Sequence, residues 1–170
     1  LILLGEDIED KNIFNPKEYG GAFKVTKDLS IKYPNQVFNT PISEAAITGI
    51  SSGYVLAGGK AILEIMFGDF TTLIFDQLLQ HASKFEDMYA GNIHCPLIVR
   101  TPMGGRRGYG PTHSQSLEKF FLGIPNLSVI ALNHRISPRY VYDTLISSFN
   151  NPCLVIENKI LYTVENSKSK

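Results

Sequence analysis

Residues 40–70 read TPISEAAITGISSGYVLAGGKAILEIMFGDF, and the order of signals within them decides the fold. Thr40, Pro41 and Ser43 supply a helix start, with an acid, Glu44, in the first turn. Small and apolar residues continue from Ser43 to Leu56, and Gly58-Gly59 supplies a C-terminal stop. Ala61–Phe67 (AILEIMF) is then a short, mostly apolar run that ends at Gly68 and enters a second helical pattern. Helix, buried strand and helix in succession are the repeating unit of an α/β domain. A strand without polar alternation is one covered on both faces, as in a parallel sheet.

The same pattern extends in both directions. Strands are predicted at 1–6 (LILLGE), 37–40 (VFNT), 96–102 (PLIVRTP), 127–132 (LSVIAL) and 153–158 (CLVIEN), each bounded by Gly, Pro or Asn. Helices are predicted at Ala22–Lys32, from about Phe70 to Tyr89, at Ser114–Leu122 and at Pro138–Phe149. The expected fold is therefore a three-layer, doubly wound α/β domain with a mostly parallel sheet. Residues 1–162 form the domain and 163–170 a solvated linker or end. In such folds ligands bind beyond the carboxyl ends of the strands, which points to 5–21, 40–45, 67–70 and 102–114.

Composition sets the outer bounds. The 170 residues fit one domain, and 44% are hydrophobic, enough for a core. Lys+Arg and Asp+Glu both number 16, so no basic footprint for nucleic acid or an anionic membrane exists. No run approaches the roughly 18 apolar residues of a membrane span, and the opening LILLGEDIED lacks the features of a signal peptide. Cys95 and Cys153 lie in apolar strand-like runs and read as buried free thiols of a reducing compartment. That compartment is the cytoplasm, or the mitochondrial matrix in a eukaryote.

Three segments could carry chemistry. Glu44 heads an apolar helix. It is either an acid placed for the helix dipole or a partly buried carboxylate with a functional partner. Met66, Phe67 and Phe70 are either ordinary core or the apolar wall for a flat ring. His113 follows a glycine-rich loop, Gly104–Gly110. It is either a general acid or base near neutral pH or a histidine that fixes the loop. The loop matches neither a P-loop nor the dinucleotide fingerprint. No pair of His, Cys, Asp or Glu has zinc-type spacing, and no Gly-x-Ser-x-Gly elbow occurs, so neither a metal site nor a serine triad is expected.

Taken together, TPISEAAITGISSGYVLAGGKAILEIMFGDF, FDQLLQHASKFEDMYAG and PLIVRTPMGGRRGYGPTHSQS resemble the beta subunit of thiamine-diphosphate-dependent 2-oxoacid dehydrogenases, of pyruvate, branched-chain or acetoin type. The resemblance runs from Gly5-Glu6-Asp7 to Leu161-Tyr162. It implies that Glu44 hydrogen-bonds a ring nitrogen of the cofactor's aminopyrimidine, promoting proton loss from the thiazolium carbon. It further implies that Phe70 stacks on the aminopyrimidine with Met66 beside it, and that His113 faces the substrate. Leu73, one turn after Phe70, makes the near wall apolar and compatible with branched-chain substrates.

The Gly-Asp-Gly motif that holds diphosphate and magnesium is not in this sequence. The resemblance places it on an alpha-type partner domain or subunit, so the expected product is half a site, inert alone. A lipoyl-bearing acyltransferase is the implied acyl acceptor, and a homo- or hetero-oligomer the implied assembly. A second α/β domain of swivel type, normal in the family, is also not in this sequence. Departures from the family occur at Asn133–Tyr140, one residue longer than usual, and at Ser148–Pro152, which lacks the Asp of a potassium-binding turn. The Asp10–Tyr19 stretch reads as an insertion, as in a branch with alpha and beta parts fused. Two alternatives share the fold: a transketolase or deoxyxylulose-phosphate synthase, against which HSQS and FDQ argue, and a non-catalytic interaction domain, against which Glu44 argues.

Overall fold

Every apolar run predicted as a strand contains one, though that at 61–67 ends already at Glu64. The computed structural model describes residues 1–10 and 19–164; most of the insertion-like stretch and the last residues of the tail lie outside them. The strands are β1 (Ile2–Gly5), β2 (Val37–Asn39), β3 (Ala61–Glu64), β4 (Ile98–Met103), β5 (Ser128–Ala131) and β6 (Cys153–Asn158). They form one sheet in the order β2-β1-β3-β4-β6-β5, and every neighbouring pair is parallel. The expected "mostly parallel" sheet is thus parallel throughout its described strands.

The helices are α1 (Leu29–Lys32), α2 (Glu44–Leu56), α3 (Phe85–Met88) and α4 (Pro138–Ser148). Two predicted helices, α2 and α4, keep nearly their full length. At the end of α2, Gly58 takes φ +89°, its N–H donates to Val55 O, and Gly59 N–H donates to Tyr54 O, both at 3.0 Å. That is a Schellman closure, which is why the glycine pair reads so clearly as a stop.

The other three helices are corrected. Of Ala22–Lys32 only the last four residues are helical, because Lys24 (φ 61°) and Asp28 (φ 67°) sit in the left-handed region. Buried Asp10 holds that bend by accepting from Asp28 N–H (2.6 Å) and the Ser30 hydroxyl (2.7 Å). The Phe70–Tyr89 segment begins at Gly68 as a 3-10 helix to Ile74, widens to a π-helix over Gln77–Ala82 and ends as α3. Its buried residues Ile74, Leu78 and Ala82 recur every four positions. That spacing exceeds the 3.6 of an α-helix, and a wider turn keeps all three on the core. Ser114–Leu122 yields only the 3-10 turn Glu118–Phe120, preceded by another at Pro111–His113. Both main-chain groups of Gln115 are engaged elsewhere, its N–H by Asp69 and its carbonyl by Gly104 N–H.

Strand alternation divides the interior into two layers. On one face Leu4, Leu63, Val99, Leu154 and Ile156 pack with Ile47 and Val55 of α2, Ile74, Leu78 and Phe121. On the other, Ile98, Cys153 and Val155 pack under Leu145 of α4. Both cysteines are free and buried as expected, and burial pushes their thiols up to about 11 (Cys95) and about 12 (Cys153). Among the described residues no helix is long and apolar enough to cross a membrane.

Candidate active site

The chain runs from β1 outward to β2 and then back across β1 to β3, so the order reverses between β1 and β3. Such a switch point opens a crevice at the strands' carboxyl ends. Glu6 follows β1 there, Thr40 follows β2, and Ile65–Phe70 follows β3.

Glu44 is the first residue of α2 and is only 8% exposed. Ser43 precedes it as N-cap yet makes no side-chain cap hydrogen bond, so the acid occupies the positive end of a 13-residue helix. The hydroxyls of Thr48, Ser51 and Ser52 bond back to the carbonyls four residues earlier (2.7–2.8 Å), which lets a polar helix flank sit inside the protein. Ala46, Gly49, Ile50 and Gly53 face outward instead. Ile50 is 63% exposed, and a Cβ at either glycine would meet nothing.

Glu6 was not singled out from the sequence as a site residue. Burial first, then the charge of Glu44, pushes its carboxyl up to about 7. Its Oε1, Thr40 Oγ1 and Asp69 Oδ2 are buried without hydrogen-bond partners among the described residues. The edge therefore presents orphaned acceptors around two neighbouring acids, a surface suited to a ligand that brings donors.

After β3 lies an aromatic cluster centred on Phe67, which is buried at 5%. Its ring centroid is 4.7 Å from His113, 5.3 Å from Tyr109, 5.5 Å from Phe23 and 5.8 Å from Phe70. Phe70 and His113 are themselves 5.3 Å apart, nearly edge to face. So two of the predicted site residues are brought together directly. The helix bearing Glu44 packs against the 3-10 helix bearing Phe70. Phe70 and Met66 are half-buried, as surfaces meeting a ligand would be, whereas Phe67 is core. Leu73 lies 54% exposed on the same 3-10 helix. His113 Nδ1 is 2.8 Å from Thr112 Oγ1, and Gln115 Nε2 donates to Asp69 Oδ1 at 2.8 Å.

Beneath the cluster, on the α4 face, lies a buried ionic network. Glu64 on β3 is in register with Arg100 on β4, while Glu157 on β6 lies two residues beyond Arg100's partner Val155, on the same face of the sheet. Arg100 pairs with both carboxylates, its Nε reaching Glu157 Oε1 at 3.1 Å. Tyr142 and Tyr162 donate their hydroxyls to Glu157. Burial opposes ionisation of Glu157, but Arg100 and the two hydroxyls outweigh it and its pKa is lowered. Burial prevails at Glu64, whose pKa is raised despite Arg100. Tyr162 also touches Phe23 (5.4 Å), which joins the network to the aromatic cluster. A cleft of about 380 Å³ opens on this face over the network itself, lined by Arg100, Tyr142, Glu157 and Tyr162 together with apolar residues such as Leu3 and Ile62, and none of Glu44, Phe70 or His113 lines it. Among the described residues no group of His, Cys, Asp and Glu is arranged to hold a metal ion.

Comparison with known proteins agrees with this fold. A family profile described as "Transketolase, pyrimidine binding domain" matches residues 1–165. The chain is 35% identical over 164 residues to the pyruvate dehydrogenase E1 component subunit beta of Porphyra purpurea, covering 96% of this chain and 47% of that protein. It is 36% identical over 146 residues to the pyruvate dehydrogenase E1 component subunit beta-1, mitochondrial, of Arabidopsis thaliana (85% and 40%). With the acetoin:2,6-dichlorophenolindophenol oxidoreductase subunit beta of Cupriavidus necator it shares 35% over 172 residues (97% and 49%). The chain spans about half the length of the curated relatives it matches.

Proposed function

The chain belongs to the transketolase pyrimidine-binding domain family, and on that premise we propose that it forms the pyrimidine-binding half of a thiamine-diphosphate site in a 2-oxoacid dehydrogenase. The observation that carries this reading is Glu44, a carboxylate 8% exposed at the head of α2, beside a second buried acid. Two acids at one buried edge are unfavourable unless a ligand supplies donors. The orphaned oxygens of Glu6 and Thr40 and the half-buried ring of Phe70 fit an aminopyrimidine.

When bound, thiamine diphosphate supplies a thiazolium carbon that can lose a proton and a ring that accepts the electrons of decarboxylation. Glu44 holds a proton at a ring nitrogen of the pyrimidine. Phe70 offers that ring a flat apolar face, and Met66 closes the side. His113 orients the substrate or donates a proton to it. The names of the relatives support a 2-oxoacid dehydrogenase over ketol transfer.

The diphosphate and its magnesium are held by an alpha-type domain. The outward strip of α2, Ala46, Gly49, Ile50 and Gly53, suits close packing against such a partner. A lipoyl-bearing acyltransferase then takes the acyl group, and the domain occupies residues 1–162. The test is made in the complete assembled protein. Glu44→Gln should lower 2-oxoacid decarboxylation by about a hundredfold or more. Unchanged decarboxylation by Glu44→Ala, or ketol transfer on sugar phosphates as the main activity, overturns the reading.

A further inference from the structure

We propose that Lys159 is a positioning residue for His113, its ammonium group holding the loop that brings the imidazole into the site. The inference rests on the role given to His113 above. Lys159 follows β6 directly and opens the 3-10 turn Lys159–Thr163, which Asn158 caps by accepting from Ile160 N–H at 3.0 Å. Its side chain is fully buried (0% exposed). The ammonium donates to the backbone carbonyl of His113 and lies over the rings of Phe67 (4.8 Å) and Tyr109 (5.6 Å).

A fully buried ammonium is a costly way to fill space. Burial pushes its pKa down, with the charge of Asp69 opposing. A methionine of similar length would occupy the same volume without desolvating a charge. What the lysine adds is a hydrogen bond to the carbonyl of the residue whose ring packs against Phe67 and Phe70, and cation–π contacts with Phe67 and with Tyr109 of the same loop. The anchor is rigid, since β6 lies inside the sheet between β4 and β5.

The loop is stitched to the sheet on its other flank too. Gln115 donates to Asp69 after β3, and Gly104 N–H, after β4, donates to Gln115 O at 3.2 Å. On the near flank Gly108 (φ +78°) and Gly110 (φ +77°) provide little stiffness of their own. Lys159 is placed to fix that side. Loss of its bond would leave the fold intact and release His113, and small displacements of a reacting group are enough to slow catalysis.

Lys159→Met in the complete assembled protein removes the bond while keeping the packing. We expect an unchanged or higher Tm, together with faster amide hydrogen exchange confined to residues 111–115 in the cofactor-free protein. We also expect kcat to fall about tenfold with KM nearly unchanged. Lys159→Arg, which keeps a donor, should recover part of the loss. In a His113→Ala background, Lys159→Met should lower kcat no further, because both changes act through one group.

Three results overturn the proposal: an additive loss in that background, unchanged exchange at 111–115, or a Lys159→Met protein that does not assemble. If His113→Ala alone leaves kcat unchanged, the role of His113 fails first and this inference with it. A loss on His113→Ala with none on Lys159→Met sinks the inference alone.

Discussion

Glu6 shows how a single side chain acquires a property from its surroundings. Its carboxyl has an ordinary value of 4.5, raised to about 7 by burial and by Glu44. Folding therefore takes up a proton between those two values. The associated stability is complete below pH 4.5 and is lost as the pH climbs through 7. Glu6→Gln, which cannot ionise, should gain stability relative to the parent as the pH rises from about 5 to about 8. Thermal unfolding at those two pH values checks this, and a difference independent of pH would refute the shift. The cysteines behave oppositely in reactivity. With thiols pushed up to about 11 and about 12 by burial, neither Cys95 nor Cys153 should react with iodoacetamide near neutral pH until the protein unfolds, as mass spectrometry of labelled peptides can show. Their burial was legible from the apolar runs around them. The shift at Glu6 was not, because nothing local says that residue 44 will stand beside residue 6.

At the scale of elements, caps and periodicity predict well where neighbours along the chain decide the outcome. α2 is bounded by its own signals, Pro41 and Ser43 before it and Gly58-Gly59 after it. The segment after β3 is set instead by what it packs against. A Cβ on Gly68 would lie 2.0 Å from Cγ of Met103, a core residue only 1% exposed. Gly68→Ala must displace that side chain, and we expect a loss of about 1–3 kcal/mol by denaturant unfolding. The predicted helix at 114–122 was lost for a related reason. The sequence there has helical spacing, but Gln115 gives its amide to Asp69 and its carbonyl to Gly104, so the backbone is committed elsewhere.

For the whole molecule, the parallel sheet and its switch point gather residues from β1, β2, β3, β4 and β6 at one edge. The Glu64–Arg100–Glu157 network spans three strands and ties the aromatic cluster to α4 through Tyr142. Arg100→Met would strand two buried carboxylates, and we expect a loss of about 3–5 kcal/mol by denaturant unfolding. The bare face of α2 makes a further prediction, that Ile50→Asp weakens assembly with the diphosphate-binding partner without lowering the stability of the domain itself. Sedimentation of the assembled protein together with thermal unfolding separates the two effects. The sequence by itself determined the strands, the two long helices and the families of residues at the strand ends, because those depend on contacts within a few residues. It also drew attention to Glu44, Phe70 and His113 through their motifs. Only the tertiary structure decided that Glu6 flanks Glu44, that Arg100 bridges carboxylates 36 and 57 residues away, and that Lys159 reaches back 46 residues to His113. Those partners meet through strand order and register, which no local pattern in the chain encodes.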